Sequence, residues 1–287
     1  MRPQDELNML KGFIELSPED ATKRNNLESF LSERSKVLII DADSMLYNVV
    51  YAHNDKVFNI DQQLADYLKQ SQNVVDMAES EGFTITNVEH HFTTCTNNFR
   101  KEIYPAYKGK RTYNEMAKLV SMLKTFVIQS FKRDGITVLH SDTLEADDSV
   151  AIRSKELGDR CIIVAIDKDL RQLKGCHFNY QRVNVKDESG SVIQEYVKHD
   201  IYGKAIFRPK KEYKGWSFTT VQEGYELLLC QLLIGDAADN ITGVKGVGEK
   251  GAPKLLKGKN NFGMLRAVYQ KYKDVERLRL NIKLMKL

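Results

Sequence analysis

Four short apolar runs punctuate the chain: Lys36-Val-Leu-Ile-Ile40, Val88–Phe92, Ile136–Leu139 and Cys161–Ile166. Each is too short for a typical helix, and each reads as a buried strand. Between them, Leu64–Ala78, Met116–Phe131 and Ala146–Leu157 carry apolar residues at helical spacing. Strands alternating with helices predict an α/β fold, its parallel sheet covered on both faces.

The flanks depart from this rhythm. Residues 1–35 are polar and charge-rich, and Ser17-Pro-Glu-Asp20 suits a helix N-terminus, so they read as an N-terminal helical arm. Residues 36–222 are expected to form the core. Within it, residues 178–222 read as a β-rich insertion with a turn at Asp187-Glu-Ser-Gly190 and a basic, aromatic stretch at Arg208–Lys214. Residues 223–287 begin with an apolar helix, Tyr225–Ile234. Gly235-Asp-Ala-Ala-Asp-Asn240 and the Gly-dense turn Gly243–Gly251 follow, then short lysine-rich helices.

Composition narrows the class. With 287 residues, 5 Pro and 17 Gly, the chain is neither collagen-like nor wholly disordered. No apolar run approaches the length of a membrane span, and residues 1–13 lack the apolar stretch of a secretory signal. Cys95, Cys161, Cys176 and Cys230 form no C-x-x-C pair, so reduced thiols and a cytoplasmic location are expected.

The acids sit where an α/β sheet binds ligands, beyond the carboxyl ends of strands. Asp41 closes the first run, and Asp167 and Asp169 follow the run at Cys161–Ile166. Glu145, Asp147 and Asp148 follow the Ile136–Leu139 run and open a helix. Asp236 and Asp239 are three apart, so a helical turn would put them on one face. Any one of these has a structural alternative as a helix cap or macrodipole partner. Together they are like charges that need neutralising cations. Oxygen ligands without His or Cys imply Mg²⁺ or Mn²⁺, and two such ions about 4 Å apart are the usual apparatus for attack on a phosphodiester.

Leu38–Asp43 (LIIDAD), Phe99–Arg111 (FRKEIYPAYKGKR), Leu144–Asp148 (LEADD), Ile166–Leu170 (IDKDL) and Gly235–Ala252 (GDAADNITGVKGVGEKGA) follow the motif order of a known family. The chain resembles the 5′-nucleases: flap endonucleases, 5′→3′ exonucleases, above all the short phage-encoded ones, and the 5′-nuclease domain of bacterial DNA polymerase I. The resemblance covers residues 36–257. It implies a PIN-like (Rossmann-like), mostly parallel sheet with a helical arch at about residues 99–130, then a helix–three-turn–helix DNA-binding module. Asp41, Glu145, Asp147 and Asp148 resemble ligands of a first metal, and Asp167, Asp169, Asp236 and Asp239 those of a second. Lys108 and Arg111 match a basic pair that touches the scissile phosphate, Tyr107 a base-stacking aromatic, and Arg100 the basic residue of the FR pair. Gly243, Gly246, Gly248 and Lys250 match a hairpin that holds duplex DNA, with K⁺ as a further implied ion.

The residues themselves agree with part of this. Tyr107-Lys-Gly-Lys-Arg111 offers cations and an aromatic beside an acidic cluster, as phosphate and a splayed base require. The glycines suit backbone N–H groups approaching phosphate oxygens. One departure stands out: the family carries an aspartate at the end of its second strand, where this chain has Thr93 or Thr94. A neutral residue there weakens or removes a metal ligand.

The expected activity is hydrolysis of phosphodiesters at 5′ ends or flaps of duplex DNA and of RNA primers on DNA, by a monomer working in replication or repair. If phage-encoded, it would act in the host cytoplasm, with replication proteins as possible partners. Two alternatives remain at this stage. One is a flap- or junction-binding protein of the same fold with lost catalysis. The other is a haloacid-dehalogenase-type phosphatase, for which Asp41-Ala-Asp43 and the later GD-x-x-D also qualify. The formal charge of +4 conceals an asymmetry: Glu249–Leu287 carries 11 Lys and Arg against 3 Asp and Glu. The residues before it carry 32 against 36, an acidic body with a basic tail suited to phosphates.

Overall fold

The computed structural model describes residues 3–14, 23–52, 58–112, 114–186, 191–196 and 215–287. The helix start expected at Ser17, the turn at Asp187–Gly190 and the basic stretch at Arg208–Lys214 lie outside the described residues.

Two helices, α1 (Pro3–Phe13) and α2 (Lys23–Ser32), precede the first strand β1 (Ser35–Asp41). Then come α3 (Ala42–Ala52), α4 (Ile60–Ser80), β2 (Thr84–Thr93), α5 (Phe99–Ile103), α6 (Glu115–Arg133), β3 (Thr137–Ser141), α7 (Ala146–Leu157) and β4 (Cys161–Val164). Strands β5 (Gly175–Asn179), β6 (Arg182–Lys186), β7 (Val192–Tyr196) and β8 (Gly215–Thr219) follow. The last part comprises α8 (Val221–Ile234), β9 (Gly235–Asp236), β10 (Ile241–Thr242), α9 (Ala252–Leu256), α10 (Asn261–Lys271) and α11 (Val275–Met285).

The central sheet has the order β3-β2-β1-β4-β5-β8. Its pairings are parallel except at the edge, where β8 runs antiparallel to β5. The sheet is thus mostly parallel, as expected, with its one antiparallel strand at the edge. β6 and β7 pair as a separate antiparallel hairpin.

Strand pleating explains why the central runs lack polar alternation. Leu38 and Ile40 of β1 and Ile162 and Val164 of β4 enter one core with α3, α4 and α6. Ile39 and Ile163 point the opposite way, against Val150 and Ala151 of α7. From β1 the order runs through β2 to β3, then returns to place β4 on the other side of β1. That reversal opens a crevice beyond the carboxyl ends of β1 and β4. Asp41 ends β1, and Asp167 lies just past β4.

A second core joins chain segments far apart in sequence. Leu7, Leu10 and Ile14 pack with α8, α10 and α11 through residues such as Leu229, Leu265 and Ile282. The Glu6 carboxylate accepts the Tyr269 hydroxyl. α2 instead packs Leu27 and Phe30 into the sheet core. The buried Lys36 ammonium ties that helix down, donating to the carbonyls of Phe30 at 2.8 Å and Asp159 at 2.6 Å.

Candidate active site

The carboxylates arrive on turns whose geometry is locally determined. Asp41 accepts the Ser44 N–H at 3.4 Å and also the Ser44 hydroxyl, which holds the turn into α3. Glu145 is the N-cap of α7, and its own N–H donates to Asp148 at 3.1 Å, so the helix start fixes both. Oxygens of Glu145, Asp147 and Asp148 all lie within 4.8 Å of one another, the one such group among the described residues. Asp167 accepts the Asp169 N–H at 2.9 Å, and Asp169 opens a 3-10 turn.

Asp236 and Asp239 come together differently from the helical turn expected. β9 and β10 form a minimal antiparallel hairpin, and Asp236 accepts the N–H groups of Ala238 at 2.8 Å and Asp239 at 3.2 Å. Gly235, at φ +79°, ends α8 and turns the chain into that hairpin. Lys168 links the two segments, with Nζ 2.7 Å from Asp169 and 3.4 Å from Asp236.

The basic segment folds over these acids. Arg100 is buried and grips Asp148 at two points, 2.5 and 2.6 Å away, with its Nε on the Leu284 carbonyl at 2.8 Å. Tyr107 is also buried, and its hydroxyl lies 2.8 Å from Glu145 and 3.1 Å from Asp239. Lys108 Nζ is 2.5 Å from Glu145, and Arg111 is 2.6 Å from Asp239. The backbone holds the segment too: Lys108 N–H donates to the Asp239 carbonyl at 3.0 Å, and Lys108 takes φ +55°. A non-glycine residue in that region is strained, which is common where a site dictates backbone position. Arg100, Tyr107, Asp147, Asp169, Asp236 and Asp239 line one cleft.

Crowding of like charges is visible in the ionisation of the acids. Burial and the adjacent Asp43 push Asp41 up to about 7. Burial with Asp148 and Glu145 pushes Asp147 up to about 8, and burial with Asp167 pushes Asp169 up to about 6. Glu145 goes the other way. Burial opposes its charge, but Lys108, Tyr107 and Arg100 outweigh it and hold the carboxyl below its usual range.

At the glycine-dense turn, Gly246, Gly248 and Lys250 are exposed, whereas Gly243 is half-buried. Gly246 takes φ +81°. Two residues near the acids escaped sequence reasoning as members of the site. Lys168 was legible only as the centre of Asp-Lys-Asp. Asp43 figured as the end of the Leu38–Asp43 motif and in the phosphatase alternative but was given no part in the metal site, although a second acid two residues past Asp41 was the available signal.

Residues 36–203 match the family profile described as 5′-3′ exonuclease, N-terminal resolvase-like domain, and the chain belongs to that family. Its DNA polymerase I relative from Treponema pallidum (strain Nichols) is 31% identical over 197 residues, which cover 67% of this chain and 17% of the polymerase. The 5′-3′ exonuclease of Buchnera aphidicola subsp. Schizaphis graminum is 26% identical over 260 residues, covering 86% of this chain and 77% of that protein. The chain spans about a quarter or less of the polymerase I relatives from Treponema pallidum and Bacillus caldotenax.

The fold resembles that of T5 5′-exonuclease with bound zinc, at a TM-score of 0.57, 18% identity, and coverage of 88% of this chain and 90% of that one. It also resembles the bacteriophage T5 flap endonuclease in a pseudo-enzyme–product complex with DNA and metal ions, at a TM-score of 0.53 and 17% identity, covering 88% and 89% of the two chains. Family membership leaves the phosphatase alternative without support. Among the described residues no helix is long and apolar enough to cross a membrane.

Proposed function

We propose that this chain is a metal-dependent, structure-specific 5′-nuclease acting on 5′ ends or flaps of duplex DNA and on RNA primers paired to DNA. The observation that carries the reading is the meeting of four acid-bearing segments with Lys108 and Arg111 at one end of the sheet. Membership of the 5′-3′ exonuclease family supports it, as does the T5 enzyme's complex with DNA and metal ions.

The donor set fits a hard divalent cation. Glu145, Asp147 and Asp148 offer only carboxylate oxygens, mutually close and partly withdrawn from water. Asp41, Glu145, Asp147 and Asp148 would hold one ion, and Asp167, Asp169, Asp236 and Asp239 a second. Bound Mg²⁺ or Mn²⁺ supplies Lewis-acid activation of water and neutralises charge on the phosphoryl oxygens.

The chain's own groups do the rest. Lys108 and Arg111 present cations to the scissile phosphate once substrate draws them from Glu145 and Asp239. Buried Tyr107 and Arg100 take positioning roles in place of base stacking and direct phosphate contact: Tyr107 spans Glu145 and Asp239, and Arg100 orients Asp148. Exposed Gly246, Gly248 and Lys250, with the basic C-terminal helices, suit the phosphates of the adjoining duplex, with K⁺ as a further candidate ion at the turn. Recognition through phosphates and shape implies little base preference.

The neutral Thr93 at the end of β2 favours one rival, a junction-binding protein without catalysis. Incubation with a 5′-labelled flap substrate in Mg²⁺, Mn²⁺ or chelator separates the two. Metal-dependent cleavage, abolished in Asp167→Asn with binding in chelator retained, is the expected result. Tight binding with no cleavage in either metal would establish the rival.

A further inference from the structure

β2 lies between β1 and β3 in the sheet, yet it alone of the three leads to no acid at its carboxyl end. β1 closes on Asp41, and the turn after β3 carries Glu145, Asp147 and Asp148. β2 closes on Thr93, whose polar groups are all committed. Its hydroxyl accepts the Ala146 N–H at 2.8 Å, and its carbonyl accepts Lys124 Nζ at 2.7 Å.

The space before Thr93 is filled from another element. Asp43, in the first turn of α3, accepts the Thr93 N–H on Oδ2 at 3.2 Å. Its Oδ1 lies 2.7 Å from Lys124 Nζ. Asp43 thus stands at the β2 terminus although it belongs to a different segment. It is not needed to cap α3, because Asp41 already accepts the Ser44 N–H.

Asp41 and Asp43, two carboxylates separated by one alanine, repel each other. Lys124, its side chain 20% exposed, offsets that repulsion with a single ammonium. A cation shared with Asp41 would turn the repulsion into attraction.

We propose that Asp43 supplies the metal-binding carboxylate that β2 lacks, with Lys124 as its resident counter-cation when no metal is bound. The inference rests on the divalent-metal reading of the site. It assigns a ligand from a new sequence position and makes Lys124 a competitor of the ion, positioned by both Asp43 and the Thr93 carbonyl.

Calorimetric titration of the intact chain with Mn²⁺ alone tests it, with no activity readout. Asp43→Asn should weaken Mn²⁺ binding about tenfold or more. Asp43→Asn combined with Thr93→Asp should recover most of that loss, because an aspartate there also accepts the Ala146 N–H at the start of α7. Lys124→Met should tighten binding. Its unchanged affinity would overturn the inference even if Asp43→Asn failed to fold. Asp147→Asn is the control. If it loses Mn²⁺ while Asp43→Asn binds like wild type, the Asp43 assignment falls and the metal reading stands. Wild-type Mn²⁺ affinity in both variants would remove the metal reading itself.

Discussion

One guanidinium binds two remote parts of the chain: Arg100 of α5 meets Asp148 of α7 at 2.5 and 2.6 Å and the Leu284 carbonyl of α11 at 2.8 Å. All of this is buried. Arg100→Ala strands a buried carboxylate and a carbonyl, which costs about 3–5 kcal/mol. Urea unfolding of Arg100→Ala checks this, and a loss below about 1 kcal/mol would contradict a dry ion pair. Arg100→Lys should recover little, because an ammonium cannot make the two-point contact. Adding Asp148→Asn to Arg100→Ala should restore part of the stability, since the orphaned charge is gone.

Tyr107 joins the two groups of acids through one hydroxyl, 2.8 Å from Glu145 and 3.1 Å from Asp239. Tyr107→Phe keeps the buried ring and removes that link. Hydrogen bonds to charged groups contribute about 1.5–3 kcal/mol. If they align the acids for catalysis, cleavage of a bound flap substrate should slow by about tenfold to a hundredfold. Single-turnover rates at saturating metal measure the effect. A base-stacking role would predict the reverse, a near-wild-type rate in Phe, which also stacks.

Much of this arrangement was legible because strand ends and acids coincide along the chain. Ile39 and Ile163 lie in apolar runs that only a two-faced buried sheet requires, and Asp41 and Asp167 follow those runs directly. Burial of Arg100 and Tyr107 was not legible. Both sit in a polar, glycine-containing segment, and only α7, α11 and the β9–β10 hairpin, all remote in sequence, cover them. The place of β8 at the antiparallel edge of the central sheet was equally hidden, since residues 178–222 read as a β-rich insertion with nothing to assign Gly215–Thr219 to that sheet. Asp43 was overlooked because its partner Thr93 is fifty residues away.

Close packing at the hairpin makes another test. A Cβ on Gly243 would lie 2.2 Å from the Ile234 carbonyl carbon and 2.4 Å from the Gly235 nitrogen. These are backbone atoms and have no side-chain freedom to yield. Gly243→Ala should therefore push β10 from β9 and cost about 1–3 kcal/mol. Asp236 and Asp239 ride on that hairpin, so Mn²⁺ affinity should fall together with stability. Gly248→Ala is the control, because nothing lies within 4 Å of a Cβ there. Equal effects at both positions would show that packing is not the cause.

His90 provides a pH test away from the acids. It is 1% exposed, with Nδ1 3.0 Å from the Tyr67 hydroxyl and Nε2 3.3 Å from Ser71. Burial, with a smaller contribution from His91, lowers it to about 3 from an ordinary value of 6.5. Below pH 6.5 the unfolded chain gains a proton at this residue that the folded chain refuses, so the imidazole's contribution is full above that pH. It is lost as pH falls from 6.5 toward 3. His90→Gln gives up the buried contacts and should be less stable than wild type at pH 7.5. It has no proton to gain, so the gap should narrow by about 2 kcal/mol on moving to pH 5. Because only this residue differs, the shifted carboxylates cancel in the comparison. Urea unfolding of both proteins at the two pH values measures the gap, and a constant difference would mean that His90 takes up its proton in the fold as readily as in the unfolded chain.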